Sequence, residues 1–231
     1  MGGATDLTLS AEGATLLCEG WMEPLCIENC TRVKVKGLTI DYKRKPFSSG
    51  EIISIQPDYF DVQFTDERII TDEMPLTRMT IWNKEKNRMY PDPIYFPKRE
   101  LLGNNRVRFH HQIPAGLLGA DAGVLHSFHF RPAILIHRST QTELEGVTIH
   151  SQAGMGIVGF DSKDILIKRL AVVPAQGYYI LRIRMLPILL VVRGYFVLKG
   201  ALSKGREMML RMCMVTIRVL FRHLPIRRNC W

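Results

Sequence analysis

Three copies of a short apolar pattern constrain the fold of this 231-residue chain more than any other feature. The copies span residues 25–40, 134–149 and 157–172, and aligning them places apolar residues on apolar residues at almost every alternate position. The last two copies begin 23 residues apart. Apolar residues that alternate with polar ones, with Asn, Ser, Asp or Gly between the runs, are typical of short β-strands. Each copy therefore predicts three short strands joined by tight turns.

A repeat of about this length matches one coil of a parallel β-helix. Each coil has three strands, and it buries its inward-facing residues only by stacking on the next coil. The sequence therefore predicts an all-β fold, a right-handed parallel β-helix. The residues expected to face inward in the last two copies are Ile136, Leu144, Val147, Ile149, Ile157, Ile165, Ile167 and Leu170. An antiparallel β-sandwich with coincidental alternation is the alternative.

The stretch between the first and second copies predicts an inserted all-β region. It contains two adjacent strand patterns, at residues 51–55 and 59–64, joined by Pro57 and Asp58, and a third pattern at residues 106–109. The expected organisation is β-helix coils at 1–42, an all-β insertion at 43–131, further coils at 132–180 and a separate tail at 181–231.

The net charge of +9 belongs to the tail. Residues 181–231 hold eleven Lys and Arg against Glu207 alone, which leaves 31 − 11 = 20 basic and 22 − 1 = 21 acidic side chains in the first 180 residues. A break this sharp in composition marks a boundary. Because the body is nearly neutral, we expect no nucleic-acid partner. If the tail is genuine, its apolar run and its Arg residues predict a membrane-seeking segment.

The His and Cys residues predict neither a metal site nor a cofactor. His126 and His129 lie three positions apart in a stretch with a strand pattern, where such positions point to opposite faces. Ordinary core or solvated His residues are therefore expected. Cys18, Cys26 and Cys30 are an odd number without a CxxC pair, so we expect small buried residues rather than disulfides or ligands.

Several runs in the body carry a resemblance to a known family. They are residues 24–30 (Pro-Leu-Cys-Ile-Glu-Asn-Cys), 38–42 (Leu-Thr-Ile-Asp-Tyr), 46–47 (Pro-Phe), 50–53 (Gly-Glu-Ile-Ile), 131–134 (Arg-Pro-Ala-Ile) and 154–157 (Gly-Met-Gly-Ile). In this order they resemble glycoside hydrolase family 110, the α-1,3-galactosidases, over about residues 7–180. The resemblance implies a parallel β-helix with added β-domains and, as substrate, a glycan with terminal α-1,3-linked galactose. It also implies a secreted or periplasmic location, although the first residues show no signal peptide.

The catalytic motifs of that family are absent from the sequence as written. In the family, a Val-Val-Pro like residues 172–174 leads to Asp-Ala-Thr-His-Phe and then to Gly-Asp-Asp-x-x-Asn-Val-His-Gly, whose carboxylates are catalytic. Back-translation of residues 185–192 and 207–217, read one nucleotide upstream, permits both motifs in the right order. The second Asp, the Val and the Gly follow from unambiguous Met codons and fixed first bases. One nucleotide deleted near Ile180 and Leu181 would explain the whole tail.

The Asp residues encoded in the shifted frame, called here the recovered carboxylates, are also separated by the spacing of the repeat. The lone Asp would begin in the codon of Arg184 and the Asp pair in that of Glu207, 207 − 184 = 23 positions later. They would therefore lie on adjacent coils, with backbones about 4.8 Å apart. Side chains that diverge can open this to the roughly 6.5 to 9.5 Å that an inverting glycosidase needs for its attacking water.

The sequence therefore predicts a fragment of an inverting α-1,3-galactosidase that is inactive as written, with no catalytic residue, metal or cofactor of its own. His150 and Gln152, which precede Gly154, are the candidate residues to face the sugar, with a turn-stabilising role as the favoured alternative. The competing function classes are a β-helix module that binds carbohydrate without cleaving it, and a membrane-associated protein that uses the tail.

Overall fold

The computed structural model of the chain describes residues 1–65, 69–127, 131–173 and 175, and the backbone of three later strands at 188–199, 202–203 and 218–219. Within these residues there is no α-helix, and the chain is almost entirely β-strand and turn. A 3-10 helix spans Ala115–Leu117. No helix in the described part of the chain is long and apolar enough to cross a membrane.

The strands follow one another along the chain as short segments, most of them two to six residues long. They are β1 (Thr8–Ser10), β2 (Thr15–Cys18), β3 (Leu25–Glu28), β4 (Lys34–Lys36), β5 (Thr39–Tyr42), β6 (Phe47–Ile55), β7 (Phe60–Phe64), β8 (Arg78–Asn83), β9 (Arg88–Met89), β10 (Ile94–Tyr95), β11 (Arg99–Gly103), β12 (Arg106–Phe109), β13 (Asp121–Leu125), β14 (Ile134–His137), β15 (Thr140–Glu145), β16 (Thr148–Ile149), β17 (Ile157–Lys168), β18 (Ala171–Val172), β19 (Ile188–Lys199), β20 (Leu202–Ser203) and β21 (Arg218–Val219).

The repeat copies form two parallel sheets. The first has the order β1-β4-β15-β17-β14-β3, with β19 also beside β17 and β21 beside β19, and the second has the order β2-β5-β16-β18-β20. The first sheet is curled, because the long strand β17 pairs with β14 along its first half and with β15 along its second half. Ile134 pairs with Ile157, and Thr142 pairs with Ile165. Both pairs are 23 residues apart, the same spacing as the last two copies in the sequence.

Left-handed residues recur at equivalent turns of successive copies. They form three ladders: Asn29, Arg138 and Asp161; Arg32, Gln141 and Asp164; and Gly37, Gly146 and Arg169, all with φ between +47° and +70°. Left-handed conformations are uncommon outside Gly, Asn and Asp, and they turn the chain sharply. Each copy therefore bends at the same three places.

A ladder of small side chains also runs through the interior beside the first of these turns. The backbone amide of Cys30 donates to Oγ of Ser139 at 3.0 Å, and the amide of Ser139 donates to Oγ of Ser162 at 3.1 Å. Ser162 in turn donates to the carbonyl of Ile136 at 3.1 Å. These hydroxyls are at most 2% exposed, so the ladder satisfies buried backbone groups that would otherwise destabilise the turn.

The core between the parallel sheets confirms the predicted alternation. All of the residues that were expected to face inward are at most 2% exposed: Ile136, Leu144, Val147, Ile149, Ile157, Ile165, Ile167 and Leu170. They pack with residues of the first copy such as Ile27, Val35 and Ile40 in one cluster. Because β15 and β17 pair in parallel, the antiparallel β-sandwich alternative is wrong for this part of the chain.

A separate antiparallel sheet lies between the first and second copies in sequence. Its order is β10-β8-β13-β6-β7-β12-β11, with β9 beside β8. The two predicted strand patterns joined by Pro57 and Asp58 pair with each other as an antiparallel hairpin, in which Ile52 pairs with Val62. Its buried face contains Phe60 and Phe109, whose ring centroids lie 5.6 Å apart.

The sequence predicts a tail separate from the coils, but part of the tail continues both parallel sheets. Strand β19 pairs in parallel with β17, and β20 pairs in parallel with β18. The offset between paired residues is 31 at Ile157 and Ile188 and 30 at Lys163 and Arg193, rather than 23. An out-of-frame tail is also expected to pack poorly, because its sequence was not selected to fit this body, and this expectation concerns side chains that lie outside the described residues.

Two glycines in equivalent turns allow a matched test of this stacking. Gly37 and Gly146 both have positive φ, +70° and +65°, but only Gly37 approaches backbone closely: a Cβ there would lie 2.7 Å from Cα of Glu12. At Gly146 the nearest atom would be 3.8 Å away. We expect Gly146→Ala to lower the free energy of unfolding by about 1 to 2 kcal/mol, from backbone strain alone. Gly37→Ala should lower it by about 2 to 4 kcal/mol, because the neighbouring turn must also move.

Urea unfolding of the chain, kept soluble by a carrier-protein fusion, measures both values. Equal losses in the two variants would show that the turn of Glu12 does not pack on Gly37.

Candidate functional site

His150 and Gln152, the residues predicted to face the sugar, follow β16 directly and both bond to backbone carbonyls. His150 is half-buried, and its Nδ1 lies 2.8 Å from the carbonyl oxygen of Val173, so Nδ1 carries the proton and donates. Gln152 is 1% exposed, and its Nε2 donates to the carbonyl of Gly154 at 3.1 Å. The His150 bond ties this turn to the following copy and the Gln152 bond lies within the turn itself, as the turn-stabilising alternative requires. A contact of either residue with sugar stays a prediction.

Ser151, between them, belongs to a buried ionic cluster. Its hydroxyl donates to Oδ1 of Asp41 at 2.6 Å, and Oδ2 of Asp41 accepts from Nζ of Lys45 at 2.6 Å. Burial raises the pKa of Asp41, but the hydrogen bonds from Lys45, Ser151 and the Tyr42 amide outweigh it and the pKa is lowered. Asp41 is therefore held as a carboxylate that is already saturated with donors, which does not suit a general acid or a general base.

The adjacent aromatic residue is also held in a structural role. Tyr42 is fully buried and donates its hydroxyl to the carbonyl of Met22 at 2.6 Å. Burial raises its pKa above the usual range for a phenol, and burial also raises the pKa of the neighbouring Cys18 thiol. Cys18 and Cys30 are buried and Cys26 is half-buried, and all three are free thiols. The cluster therefore holds the end of β5 against the turn after β16.

His126 is a buried histidine of the junction between this cluster and the antiparallel sheet. Its ring stacks on Trp21 with centroids 5.3 Å apart and an interplanar angle of 11°. Nδ1 lies 3.0 Å from the carbonyl of Pro75 and therefore donates, which leaves Nε2 to accept from the Ser48 hydroxyl at 2.8 Å. Both ring nitrogens are thus used inside the fold. His129 lies outside the described residues, and within them no group of three or more His, Cys, Asp or Glu could hold a metal ion.

The environment of His126 predicts a pH dependence of stability. Burial lowers the pKa of His126 from 6.5 to about 4, with Arg44 and Arg99 lowering it further and the bond to Pro75 opposing the shift. As pH falls from 6.5 to about 4, the unfolded chain takes up a proton that the folded chain does not, so stability is lost across that window. The loss should be on the order of 3 kcal/mol.

The check is the free energy of unfolding between pH 7 and pH 4. His126→Gln should lower stability at pH 7 and flatten its pH dependence, whereas the same substitution at the exposed His110 should leave stability at pH 7 unchanged. An unchanged slope in His126→Gln would contradict the assigned burial.

The structure also brings together three residues that the sequence reasoning did not single out. Glu28, His137 and Phe160 are paired in register on β3, β14 and β17 and point outward from the first parallel sheet. We call them the outward column. The sequence signal was present, because each residue occupies the fourth position of an aligned copy, but nothing in the pattern distinguished this outward position from the others.

Comparison with known proteins indicates a distant relationship to galactosidases. The chain is 21% identical over 194 residues to the protein named Alpha-1,3-galactosidase B of Bacteroides thetaiotaomicron, an alignment that covers 73% of this chain and 31% of that protein. It is 20% identical over 191 residues to Alpha-1,3-galactosidase B of Akkermansia muciniphila, covering 74% of this chain and 24% of that protein. The chain thus spans about a quarter to a third of the length of these relatives. No protein-family model matches the chain.

Proposed function

We propose that the chain is a fragment of an inverting exo-α-1,3-galactosidase of the family 110 type, with a glycan that ends in α-1,3-linked galactose as the substrate class. The observation that carries this proposal is the similarity to two proteins that share the name Alpha-1,3-galactosidase B. The ordered runs of the body, from residues 24–30 to residues 154–157, support the same family.

The parallel sheets are, in this proposal, coils of a right-handed parallel β-helix with the antiparallel sheet as an insertion. The register of 23 residues, the three ladders of left-handed turns and the interior ladder of Ser139 and Ser162 support it. Each of these features repeats once per copy, as stacked coils require. The proposed division is coils at 1–42 and 132–180, an insertion at 43–131 and the tail at 181–231.

The proposed reason for inactivity is the reading frame of the tail. In an inverting glycosidase one carboxyl group protonates the glycosidic oxygen and another activates the attacking water. Both groups belong to motifs that residues 185–217 encode only in the shifted frame. The pairing of β19 with β17 does not replace them, because its offset of 30 or 31 residues departs from the 23 that would stack the recovered carboxylates. Apolar residues such as those of β19 can extend an open parallel edge in any reading frame, since the pairing uses backbone groups.

The nucleotide sequence of the gene tests the proposed shift of reading frame. The shifted reading requires that the Arg184 codon end in G, that Glu207 be encoded by GAG and that the Arg211 codon end in A. Sequencing the gene across residues 176–217 should show all three bases. A different base at the Glu207 codon would remove the first Asp of the pair and with it the proposed motif.

A further inference from the structure

The outward column of Glu28, His137 and Phe160 combines an exposed ring with hydrogen-bonding groups. Phe160 is 50% exposed, although it lies in the middle of a parallel sheet between β14 and β19. Val158, two residues earlier on the same face, is only 8% exposed. The Phe160 ring therefore lies at the border between a covered and an open part of this face.

The column is held in a defined geometry. The His137 ring lies 5.7 Å from the Phe160 ring, with an interplanar angle of 34°. Nδ1 of His137 lies 3.0 Å from Oε1 of Glu28 and donates to it, so Nε2 is the ring nitrogen left for a ligand. The Glu28 side chain remains 46% exposed, which leaves carboxylate surface for further donors.

Charged groups flank the column at the adjacent turn. Nε of Arg138 lies 3.9 Å from Oδ2 of Asp161, and these side chains are 62% and 48% exposed. The open ring thus lies next to an imidazole that is bonded to a carboxylate, and a guanidinium and a second carboxylate follow at the next position along the chain. A ligand that presents one apolar face and a rim of hydroxyl groups matches this arrangement. A pyranose ring is such a ligand.

We propose that the outward column is a sugar-binding strip, in which the C–H face of a pyranose packs on Phe160 while Glu28 and His137 accept hydrogen bonds from its hydroxyl groups. The inference rests on the proposed function for its substrate class, a galactose-terminated glycan. It adds a binding site that does not depend on the carboxylates of the shifted frame, so the 231-residue chain as written should bind sugar.

The test is binding of the disaccharide galactosyl-α-1,3-galactose to the full chain, kept soluble by a carrier-protein fusion and followed by saturation-transfer NMR. Phe160→Ala should weaken binding by about tenfold, because the apolar face of the sugar loses its contact. Phe160→Trp should bind at least as well as the unaltered chain. Tyr95→Ala, which removes a 60% exposed ring from the antiparallel sheet, is the matched control and should leave binding unchanged.

A purely structural role for Phe160 gives a different result. In that case Phe160→Ala would lower the urea midpoint and leave sugar binding per folded molecule intact, which would overturn the strip. Absence of sugar binding by the unaltered chain, or equal losses in Phe160→Ala and Tyr95→Ala, would overturn it as well.

Maltose, a disaccharide of glucose, separates this inference from the proposed function. Equal binding of maltose, lost in Phe160→Ala, would support the strip and remove its link to galactose. Galactose release by a gene with the frame restored, together with disaccharide binding by the 231-residue chain that Phe160→Ala leaves unchanged, would support the proposed function and overturn the strip.

Discussion

Galactose release from an α-1,3-galactoside should be absent with the 231-residue chain. It should appear when one nucleotide is restored before the codon of Leu181 in a gene that also supplies the remaining length of the relatives. The physical reason is that the tail as written lacks the two Asp motifs, whose carboxyl groups are the proposed proton donor and base. Losing either one alone typically lowers the rate by about 10² to 10⁴. The measurement is enzymatic detection of free galactose, with NMR of the first-formed anomer to show inversion.

The matched control for this experiment is the same nucleotide inserted after the codon of Ile217. That insertion restores the downstream frame but leaves the codons of both Asp motifs out of frame. Neither motif is then translated, so the protein should have no activity. Galactose release by the unaltered chain would contradict the assignment. Failure of the repaired gene on every α-1,3-galactoside would contradict it equally.

The parallel stack could be predicted because its signal is local and repeated. Inward residues such as Leu144 and Ile167 recur at a fixed spacing, and a shift of register by one residue would expose all of them. Parallel pairing at an offset of 23 follows from that spacing, and the structure has it. The hairpin around Pro57 was predictable for a similar reason, since its two strands and its turn lie within a short stretch of chain.

The contacts across the junction could not be predicted, because they join residues that are far apart in sequence and carry no repeat. Asp41 meets Ser151, 110 positions away, and His126 meets Ser48, 78 positions away. The pattern indicated that His126 was an ordinary histidine but did not show its partners or its lowered pKa. The outward column was missed because outward positions in a stack are not constrained by packing, so their chemistry depends on which residues of neighbouring copies meet.

The continuation of the stack by β19 also escaped prediction. Residues 188–198 show no match to the repeat, and their pairing offset differs from it. An open parallel edge accepts an apolar extended segment through backbone hydrogen bonds, which require no particular side chains. Periodicity in the sequence indicates repeats whose side chains pack together. It does not indicate a strand that joins a sheet edge through backbone hydrogen bonds alone.

Expression of the chain alone should give insoluble or aggregated protein, which is the second large effect that we expect. Within the described residues, β1 pairs only with β4 and β2 pairs only with β5, so both are edge strands. Apolar side chains at this end are exposed, including Leu9 at 36%, Leu16 at 37% and Leu17 at 56%. Open strand edges with apolar side chains are templates for pairing with other chains, and uncapped stacks of repeats are poorly soluble.

A single lysine at this edge tests whether it causes the aggregation. Leu17→Lys places a charge on β2 at a side chain that is already exposed, so it should raise the soluble fraction severalfold with little effect on the core. Leu118→Lys is the matched control, because Leu118 is 61% exposed but lies in the loop before β13 and not on β1 or β2. This substitution should leave solubility unchanged. Soluble fraction and light scattering measure the outcome. A monodisperse unaltered chain that melts cooperatively would show that the edge is closed. Equal gains in soluble fraction from both lysine variants would show that added charge, rather than a blocked edge, governs solubility.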